Sequence, residues 1–250
     1  MTLRLEKSGP VARLLIDRAE KRNAFNQAMW LQVPQLVSEA VADPSVRVII
    51  LASSTPGMFC AGADIGELLA HKDDASWRAA NQAAINAAQY ELARAAKPVI
   101  AFVDGDCVGG GCGLALACDI RVSTIRSRFG ITPAKLGLIY PLHDTKLLVD
   151  LVGPGAAKRM LFTGALLPAE EALRLGLIEM IGDDADELSQ TISGASAHST
   201  HGIKAFVRLI LDGQTEDDAQ TLAAFAQAFT LPDFAEGTRA FVEKRKADFG

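Results

Sequence analysis

A glycine-rich segment near the middle of the chain places the strongest constraint on its fold. Residues 98–118 have the sequence PVIAFVDGDCVGGGCGLALAC, in which an apolar run is followed by consecutive glycines and then by small apolar residues. This order predicts a strand, a tight turn and a helix that starts near Gly113. The first backbone N–H groups of a helix have no partner within it and lie at its positive end. The segment therefore predicts a site for an anion or a developing oxyanion.

Two common nucleotide-binding motifs contain similar glycine clusters, but neither matches this segment. A dinucleotide-binding G-x-G-x-x-G motif that starts at Gly109 would need a third glycine at position 114, where the chain has Leu114. A phosphate-binding loop would need a Gly-Lys-Ser/Thr sequence, which does not follow the glycines. Close packing of a buried helix on a strand remains open as a purely structural role for the glycines.

Composition limits the kind of protein and its partners. The chain has 250 residues, of which 49% are hydrophobic, and a net charge of −5. We expect neither a nucleic acid nor a membrane as partner, because the charge is negative and no run approaches the ~20 apolar residues of a membrane span. We expect a cytoplasmic location. The four cysteines lack C-x-x-C spacing, so we expect reduced, buried thiols and no metal site.

Strand and helix patterns alternate along the first three quarters of the chain. A hairpin over residues 3–16 precedes a helix over 25–42 and an apolar strand over 46–52. A second small-residue junction follows at 59–65, where Asp64 is expected to cap a short helix. From residue 185 onward only helical patterns remain. We therefore predict an α/β core over residues 1–184 and a helical C-terminal region over 185–250.

The two small-residue junctions and several further motifs resemble the crotonase superfamily, the enoyl-CoA hydratase/isomerase family, over nearly the whole chain. The motifs occur in the family's order: RNAF at 22–25, FCAGADI at 59–65, VGGGC at 108–112, CDI at 118–120, FTG at 162–164, ALRLGL at 172–177 and AFVEKRKADF at 240–249. The resemblance implies a crotonase-like α/β fold with a ββα-superhelix core and a helical C-terminal trimerisation region. It also implies a homotrimer or a dimer of trimers.

The resemblance implies an acyl-CoA thioester as substrate, with coenzyme A as part of the substrate and no separate cofactor. The backbone N–H groups of Ala63 and Gly110 would bind the thioester carbonyl oxygen and stabilise an enolate. The coenzyme A path and its nucleotide end would be lined by Arg22, Ala24, Ala61, Asp64, Ile65, Phe241 and Lys244.

The chain departs from the hydratases of this family at the two acid/base positions. By motif position, their two glutamates correspond to Gly113 and Pro133, and neither residue can transfer a proton. Tyr140 resembles the tyrosine of the methylmalonyl-CoA decarboxylase branch of the superfamily. The sequence therefore predicts a decarboxylase or double-bond isomerase with Tyr140 as a catalytic residue. The alternatives are a hydratase-like lyase with substitute acid/base groups and a non-catalytic acyl-CoA binding protein.

Three further residues near this site could handle a proton. Asp144 is expected to cap the following helix, and His143 is expected at the surface. Glu67, one turn into the helix after Asp64, could face the acyl end of the substrate. The sequence alone does not choose among these residues and Tyr140.

Overall fold

The computed structural model describes residues 2–249. An N-terminal hairpin forms one edge of its main sheet. Strands β1 (Leu3–Ser8) and β2 (Val11–Ile16) pair antiparallel with Leu3 opposite Ile16. Gly9 makes the tight turn between them with a φ of +56°, a conformation that favours glycine. The predicted hairpin is confirmed.

Parallel strands extend this hairpin into the main sheet. The next strand, β3 (Val48–Ser53), is buried along nearly all of its length, as expected for a parallel strand covered on both faces. The further strands are β4 (Val99–Val103), β5 (Asp106–Val108), β6 (Ile120–Ser123), β7 (Arg128–Gly130), β8 (Leu167–Pro168) and β9 (Met180–Ile181). Within the described residues the main sheet has the order β1-β2-β3-β4-β6-β9, and a smaller sheet has the order β5-β7-β8.

Helices cover the main sheet and continue to the C-terminal end of the chain. They are α1 (Gln27–Ala42), α2 (Ile65–Ala70), α3 (Ala75–Arg94), α4 (Gly110–Ala117), α5 (Leu142–Thr163), α6 (Ala169–Arg174), α7 (Asp186–Ser193), α8 (Ala197–Leu211), α9 (Ala219–Ala228) and α10 (Pro232–Glu243). Helix α1 buries Met29, Trp30, Val33 and Val37, which share one face at helical spacing. None of the helices described is long and apolar enough to cross a membrane.

Two helix starts differ from the sequence prediction, and both differences change the site. Helix α4 begins at Gly110 rather than near Gly113, because the Gly113 N–H already donates to the Gly109 carbonyl at 3.0 Å. Helix α5 begins at Leu142, with Pro141 at its N-cap, and continues through a kink at Gly153. The sequence patterns predict two helices here, over residues 145–152 and 155–162. The kink at Gly153, whose φ of +71° is not helical, divides α5 at that point, so the division is confirmed and the start of the first helix differs.

The C-terminal region is helical, as predicted. Helix α7 packs against the main sheet through Leu188 and Ile192, whereas α8 leaves Ile203, Val207 and Ile210 exposed. The division of the chain after residue 184 and assembly into a trimer remain predictions.

Candidate functional site

Three chain segments run side by side at one edge of the core and form the frame of the site. Residues 59–64 lie in the middle and pair with β5 on one side, where the Cys60 N–H donates to Asp106 O and the Val108 N–H donates to Cys60 O, both at 3.0 Å. On the other side the Phe25 N–H donates to Gly62 O at 2.7 Å. These bonds place the junction before α2 next to the junction before α4.

The two predicted backbone donors meet where these junctions end. A Cβ added to Gly110 would lie 3.6 Å from the nitrogen of Ala63. Among residues 2–249 no hydrogen-bond acceptor is found for either N–H, and both residues are partly exposed. The Gly110 N–H also lies at the first position of α4, where the helix dipole favours negative charge. The pair can therefore bind an oxyanion.

Close packing accounts for the glycine at position 110. A Cβ there would lie 3.1 Å from the Trp30 ring, closer than side chains normally pack. Trp30 is fully buried in α1 and stacks at a tilt on Phe25, with ring centroids 4.5 Å apart. The aromatic pair is thus a rigid wall beneath the two N–H groups. Close packing and anion binding are therefore compatible roles for this glycine.

Two polar residues for which no role was predicted fix the loop before α1. Asn23 is fully buried, and its amide donates to Ser53 Oγ, Met58 O and Phe59 O at 2.8–3.0 Å. Arg18 donates to Ala24 O at 2.7 Å and pairs with Asp64 at 2.9 Å. The sequence offers one indication of these roles, which is the polar character of the loop before α1. In such a loop a buried side-chain amide often makes the hydrogen bonds that backbone pairing does not supply.

Asp64 is the helix cap that the sequence predicted. Its side chain accepts hydrogen bonds from the N–H groups of Gly66 and Glu67 at the start of α2. Burial acts to raise the pKa of Asp64, but the hydrogen bonds and the charge of Arg18 outweigh burial and lower it. Asp64 therefore stays ionised and has a structural role at this position.

The residues predicted to line the coenzyme A path fall into two places. Arg22, Ala24, Ala61 and Asp64 lie together on adjacent loops, where the Ala61 N–H donates to Arg22 O at 3.0 Å, and Ile65 is the first residue of α2.

Phe241 and Lys244 lie apart from that path, at the end of α10. Phe241 is 85% exposed and borders a groove between α8 and α10. Lys244 is the C-cap of α10. The single chain does not bring these two residues to the loops.

A polar cluster surrounds Gly113, one helical turn after Gly110. A Cβ added to Gly113 would lie 2.5 Å from Gln89 Nε2, 3.0 Å from Asp144 Oδ1 and 3.2 Å from the Tyr140 hydroxyl. Gln89 comes from α3, Asp144 from α5 and Tyr140 from the loop before α5. Side chains from three elements thus fill the space that a side chain at position 113 would occupy.

Asp144 is the centre of this cluster and is not a helix cap. Its residue is 2% exposed, Gln89 Nε2 donates to its Oδ1 at 2.6 Å, and its Oδ2 has no partner among the described residues. The prediction of a cap is wrong because α5 begins at Leu142, which places Asp144 in the first turn and directs it inward. Burial raises the pKa of Asp144, against the lowering effects of Gln89 and His143.

Tyr140 and His143 complete the surroundings of Asp144. The Tyr140 hydroxyl donates weakly to Gly109 O at 3.4 Å. Burial and the charge of Asp144 raise the pKa of Tyr140 well above 10. Tyr140 is therefore a neutral hydrogen-bond donor at ordinary pH. His143 is half-buried, with Nε2 enclosed and unpaired, so the prediction of a surface histidine is wrong.

The remaining candidates have other roles. The Glu67 carboxylate accepts the Gln27 N–H at 2.8 Å and so joins the start of α1 to α2. Pro133 opens a short 3₁₀ turn over Pro133–Leu136. All four cysteines are free and buried, and burial raises the pKa of Cys60 and Cys118 to about 12. Within residues 2–249 no cluster of His, Cys, Asp and Glu could hold a metal ion.

A separate apolar groove of about 620 Å³ lies at the opposite end of α4. Its walls include Leu116 from α4, Cys118 directly after this helix, and Ile203 and Val207 from α8. None of the site residues described above lines it. We therefore place the candidate site at the N-terminal end of α4, where the paired N–H groups and the buried carboxyl lie.

The chain is similar to known proteins over nearly its whole length. The profile of the enoyl-CoA hydratase/isomerase family matches residues 6–250. A crotonyl-CoA hydratase from Syntrophomonas wolfei is 35% identical and covers 98% of this chain and 96% of its own length. A short-chain-enoyl-CoA hydratase from Clostridium acetobutylicum is 32% identical, with coverage of 98% and 95%.

A solved structure shows the same fold. The enoyl-CoA hydratase/isomerase family protein from Hyphomonas neptunium superposes with a TM-score of 0.96 at 38% identity, and covers 100% of this chain and 98% of its own. The chain belongs to the enoyl-CoA hydratase/isomerase family, with its crotonase-like α/β fold, and is an acyl-CoA enzyme of that family.

Proposed function

We propose that this enzyme stabilises a thioester enolate in an oxyanion hole formed by Ala63 and Gly110, and that it moves a double bond in a short-chain enoyl-CoA. The observation that supports this most strongly is the meeting of two unpaired, partly exposed N–H groups beside a buried carboxyl. Short acyl chains are proposed because the crotonyl-CoA and short-chain-enoyl-CoA hydratases cover nearly the whole chain.

The proposed oxyanion hole supplies most of the chemistry. When a proton leaves the carbon next to the thioester, negative charge develops on the carbonyl oxygen, and two N–H groups that are already oriented can stabilise it at no cost in reorganisation. Loss of one such donor typically lowers the rate by ~10²–10³-fold. The wall formed by Trp30 and Phe25 holds the donors in place.

Isomerisation suits this site better than simple hydration. Hydration needs one group that activates water and a second that protonates the α-carbon. The family resemblance assigns these roles to the positions of Gly113 and Pro133, which cannot perform them. Isomerisation needs a single group that removes a proton from one carbon and returns it to another. Decarboxylation, which the sequence predicts alongside isomerisation, needs only enolate stabilisation, and the donor geometry supports it equally.

The coenzyme A path is proposed along the loops that contain Arg22, Ala24, Ala61, Asp64 and Ile65. Phe241 and Lys244 lie away from these loops in one chain, so their proposed contact with the nucleotide end would come from a neighbouring subunit of a trimer or of a dimer of trimers.

The reaction class can be identified by mass spectrometry after incubation in heavy water. The panel contains crotonyl-CoA, a 3-enoyl-CoA and a methylmalonyl-type CoA ester. We expect conversion of the 3-enoyl ester to the 2-enoyl ester, with deuterium entering the acyl chain. Loss of carbon dioxide would favour decarboxylation, and a mass gain of water would favour the hydratase-like alternative. If every ester bound but returned unchanged and unlabelled, the enzymatic proposal would be wrong.

A further inference from the structure

We propose that the Asp144 carboxyl is the catalytic group that removes the substrate proton and returns a proton, and that Gln89 and Tyr140 position it. Helix α5 places this carboxyl in the space that a side chain at Gly113 would fill. This inference rests on the proposed function and names the acid/base group that the proposed reaction requires.

The geometry around Gly113 points to a carboxyl supplied from another element. The Asp144 Oδ1 lies 3.0 Å from the point where a Cβ of residue 113 would be. A side chain there would also collide with Gln89, whose amide is 2.5 Å from that point. The Gln89–Asp144 pair and a side chain at position 113 therefore exclude each other. The carboxyl function that the family resemblance places on α4 is present here on α5.

Unpaired buried atoms concentrate at the same place. Seven buried side-chain N and O atoms lack a partner among the described residues, and three of them are Gln89 Oε1, His143 Nε2 and Asp144 Oδ2. Buried polar atoms are normally hydrogen-bonded, and unpaired ones at a single point indicate a place where a ligand or a reacting group is met. One Asp144 oxygen is held by Gln89, so the other is available for proton transfer.

The charges around Asp144 suit a base that must also give its proton back. Within the described residues Asp144 has no ion pair with a lysine or arginine. The titratable groups that face it are His143 on its own helix and Tyr140 before it. Cys107 of β5 and Cys112 of α4 face Tyr140. Without a fixed cation, the carboxylate and the carboxylic acid forms lie closer in free energy than in an ion pair. A proton can therefore pass in both directions.

The proposed step balances without any further reactant. The Asp144 carboxylate takes a proton from C2 of a 3-enoyl-CoA, and the C–H electron pair moves into the thioester, where the carbonyl oxygen becomes an enolate oxygen held by Ala63 and Gly110. The Asp144 carboxylic acid, whose proton exchanges with the solvent, then gives a proton to C4, where the C3–C4 π electrons form the new C–H bond. The enolate electrons form the C2–C3 double bond, and the thioester carbonyl is restored. The product is the 2-enoyl-CoA, and Asp144 is again ionised.

Tyr140 is a positioning residue in this scheme. Its raised pKa keeps the phenol protonated, so it cannot serve as the base. As a neutral donor beside Asp144 it can orient the carboxyl and stabilise its ionised form. The sequence-based proposal of catalysis by Tyr140 is thereby replaced by a supporting role.

The first experiment compares Asp144→Asn with Asp150→Asn. Both aspartates lie on α5, but Asp150 pairs with Lys146 and borders the groove at the other end of α4. Asparagine retains the shape of aspartate and can still accept from Gln89. We expect Asp144→Asn to lower the isomerisation kcat by on the order of 10³-fold with binding of a saturated acyl-CoA unchanged, and Asp150→Asn to retain the wild-type rate.

The second experiment uses the pH dependence of kcat/KM. The rate should fall as pH drops through the pKa of Asp144, which burial raises above the ordinary value of 3.8. Gln89→Leu removes a hydrogen bond that lowers this pKa, so the acid limb should move to higher pH. The residual rate of Asp144→Asn should show no such limb. If Asp144 contributed only to folding, Gln89→Leu would not change the pH at which kcat/KM falls.

The outcomes separate this inference from the proposed function. If the wild type converts or labels the esters and folded Asp144→Asn does so at the same rate, the inference is wrong and the proposed function stands. If Tyr140→Phe lowers the rate as severely as Asp144→Asn, the assignment of Asp144 as the group that meets the substrate is wrong. If the wild type leaves every ester unconverted and unlabelled, the proposed function itself fails.

Discussion

Asp64 and Asp144 are both aspartates at the start of a helix, and they have opposite environments. Asp64 caps α2 and pairs with Arg18 at 2.9 Å, and these contacts lower its pKa despite burial. Asp144 is more deeply buried, accepts one neutral amide hydrogen bond and has a raised pKa. The fold thus stabilises the charge of Asp64 and disfavours that of Asp144.

This difference separates a structural carboxylate from a reactive one. A group with a lowered pKa stabilises the folded state above its unfolded-state pKa, and this stability is lost as pH falls through its folded-state pKa. A group with a raised pKa behaves in the opposite way, since its contribution is present at low pH and is lost as pH rises through its folded-state pKa. Asp64 should therefore stabilise the fold at neutral pH, and Asp144 should not.

The largest effect on stability is expected for Asp64→Ala. The change removes a helix cap and the 2.9 Å ion pair of the largely buried Arg18, so we expect a loss of about 3 kcal/mol in the free energy of unfolding at neutral pH. Urea unfolding measures it. The loss should shrink in acid as the wild-type carboxyl becomes protonated. A loss below about 0.5 kcal/mol, the usual range for surface substitutions, would contradict the structural role of Asp64.

The second effect concerns the space that Asp144 shares with Gly113. Gly113→Ala places a methyl group 2.5 Å from Gln89 Nε2 and should displace the amide from Asp144, at a cost of about 2 kcal/mol. Gly155→Ala is the matched control, because a Cβ on Gly155 in α5 meets nothing within 4 Å. Thermal unfolding should show a lower Tm for the first variant and an equal or higher Tm for the second. Equal behaviour of the two would mean that the cluster does not fill this space.

A smaller effect is expected for Tyr140→Phe. Removing the hydroxyl takes away one donor near Asp144, and a hydrogen bond of about 1.4 kcal/mol corresponds to about a tenfold lower kcat. Steady-state kinetics on a 3-enoyl-CoA measures this. An unchanged rate would show that Tyr140 serves only the shape of the pocket.

The smallest effect, and the one most specific to the comparison, is that of Asp144→Asn on stability. Because burial disfavours the charge, the variant should be as stable as the wild type or more stable by about 1 kcal/mol at neutral pH. The difference should vanish below about pH 4, where aspartates are protonated in the unfolded chain as well. A clear loss of stability at neutral pH would identify Asp144 as a second structural carboxylate.

The contrast also shows how far the sequence could lead. The cap at Asp64 is correctly predicted because a cap depends on neighbouring residues, here Gly66 and Glu67. The same rule fails for Asp144, whose burial depends on Gln89, 55 residues away in the chain, and on the absent side chain of Gly113. One feature of the sequence indicates that Gln89 is buried: it lies at helical spacing from the buried Leu92, on the same face of an alanine-rich helix.

The order of strands and helices follows from hydrophobic periodicity, whereas helix starts do not. Three consecutive glycines suggest a loop and so predict an α4 start near Gly113, yet the helix begins at Gly110, where its first N–H is available to a ligand. The convergence of Ala63 with Gly110 depends on the pairing of residues 59–64 with β5, which local patterns do not reveal. Only the family resemblance leads to an expectation that these two N–H groups meet.

The most direct test of the proposed site is a crystal structure of the protein with an unreactive saturated acyl-CoA. We predict the thioester oxygen at about 3 Å from the N–H nitrogens of Ala63 and Gly110, and the α-carbon at about 3.5 Å from the nearer Asp144 carboxyl oxygen. A thioester that met the two N–H groups while its α-carbon and γ-carbon both lay beyond reach of Asp144 would contradict the assignment of the acid/base group. A thioester bound away from both N–H groups would contradict the site itself.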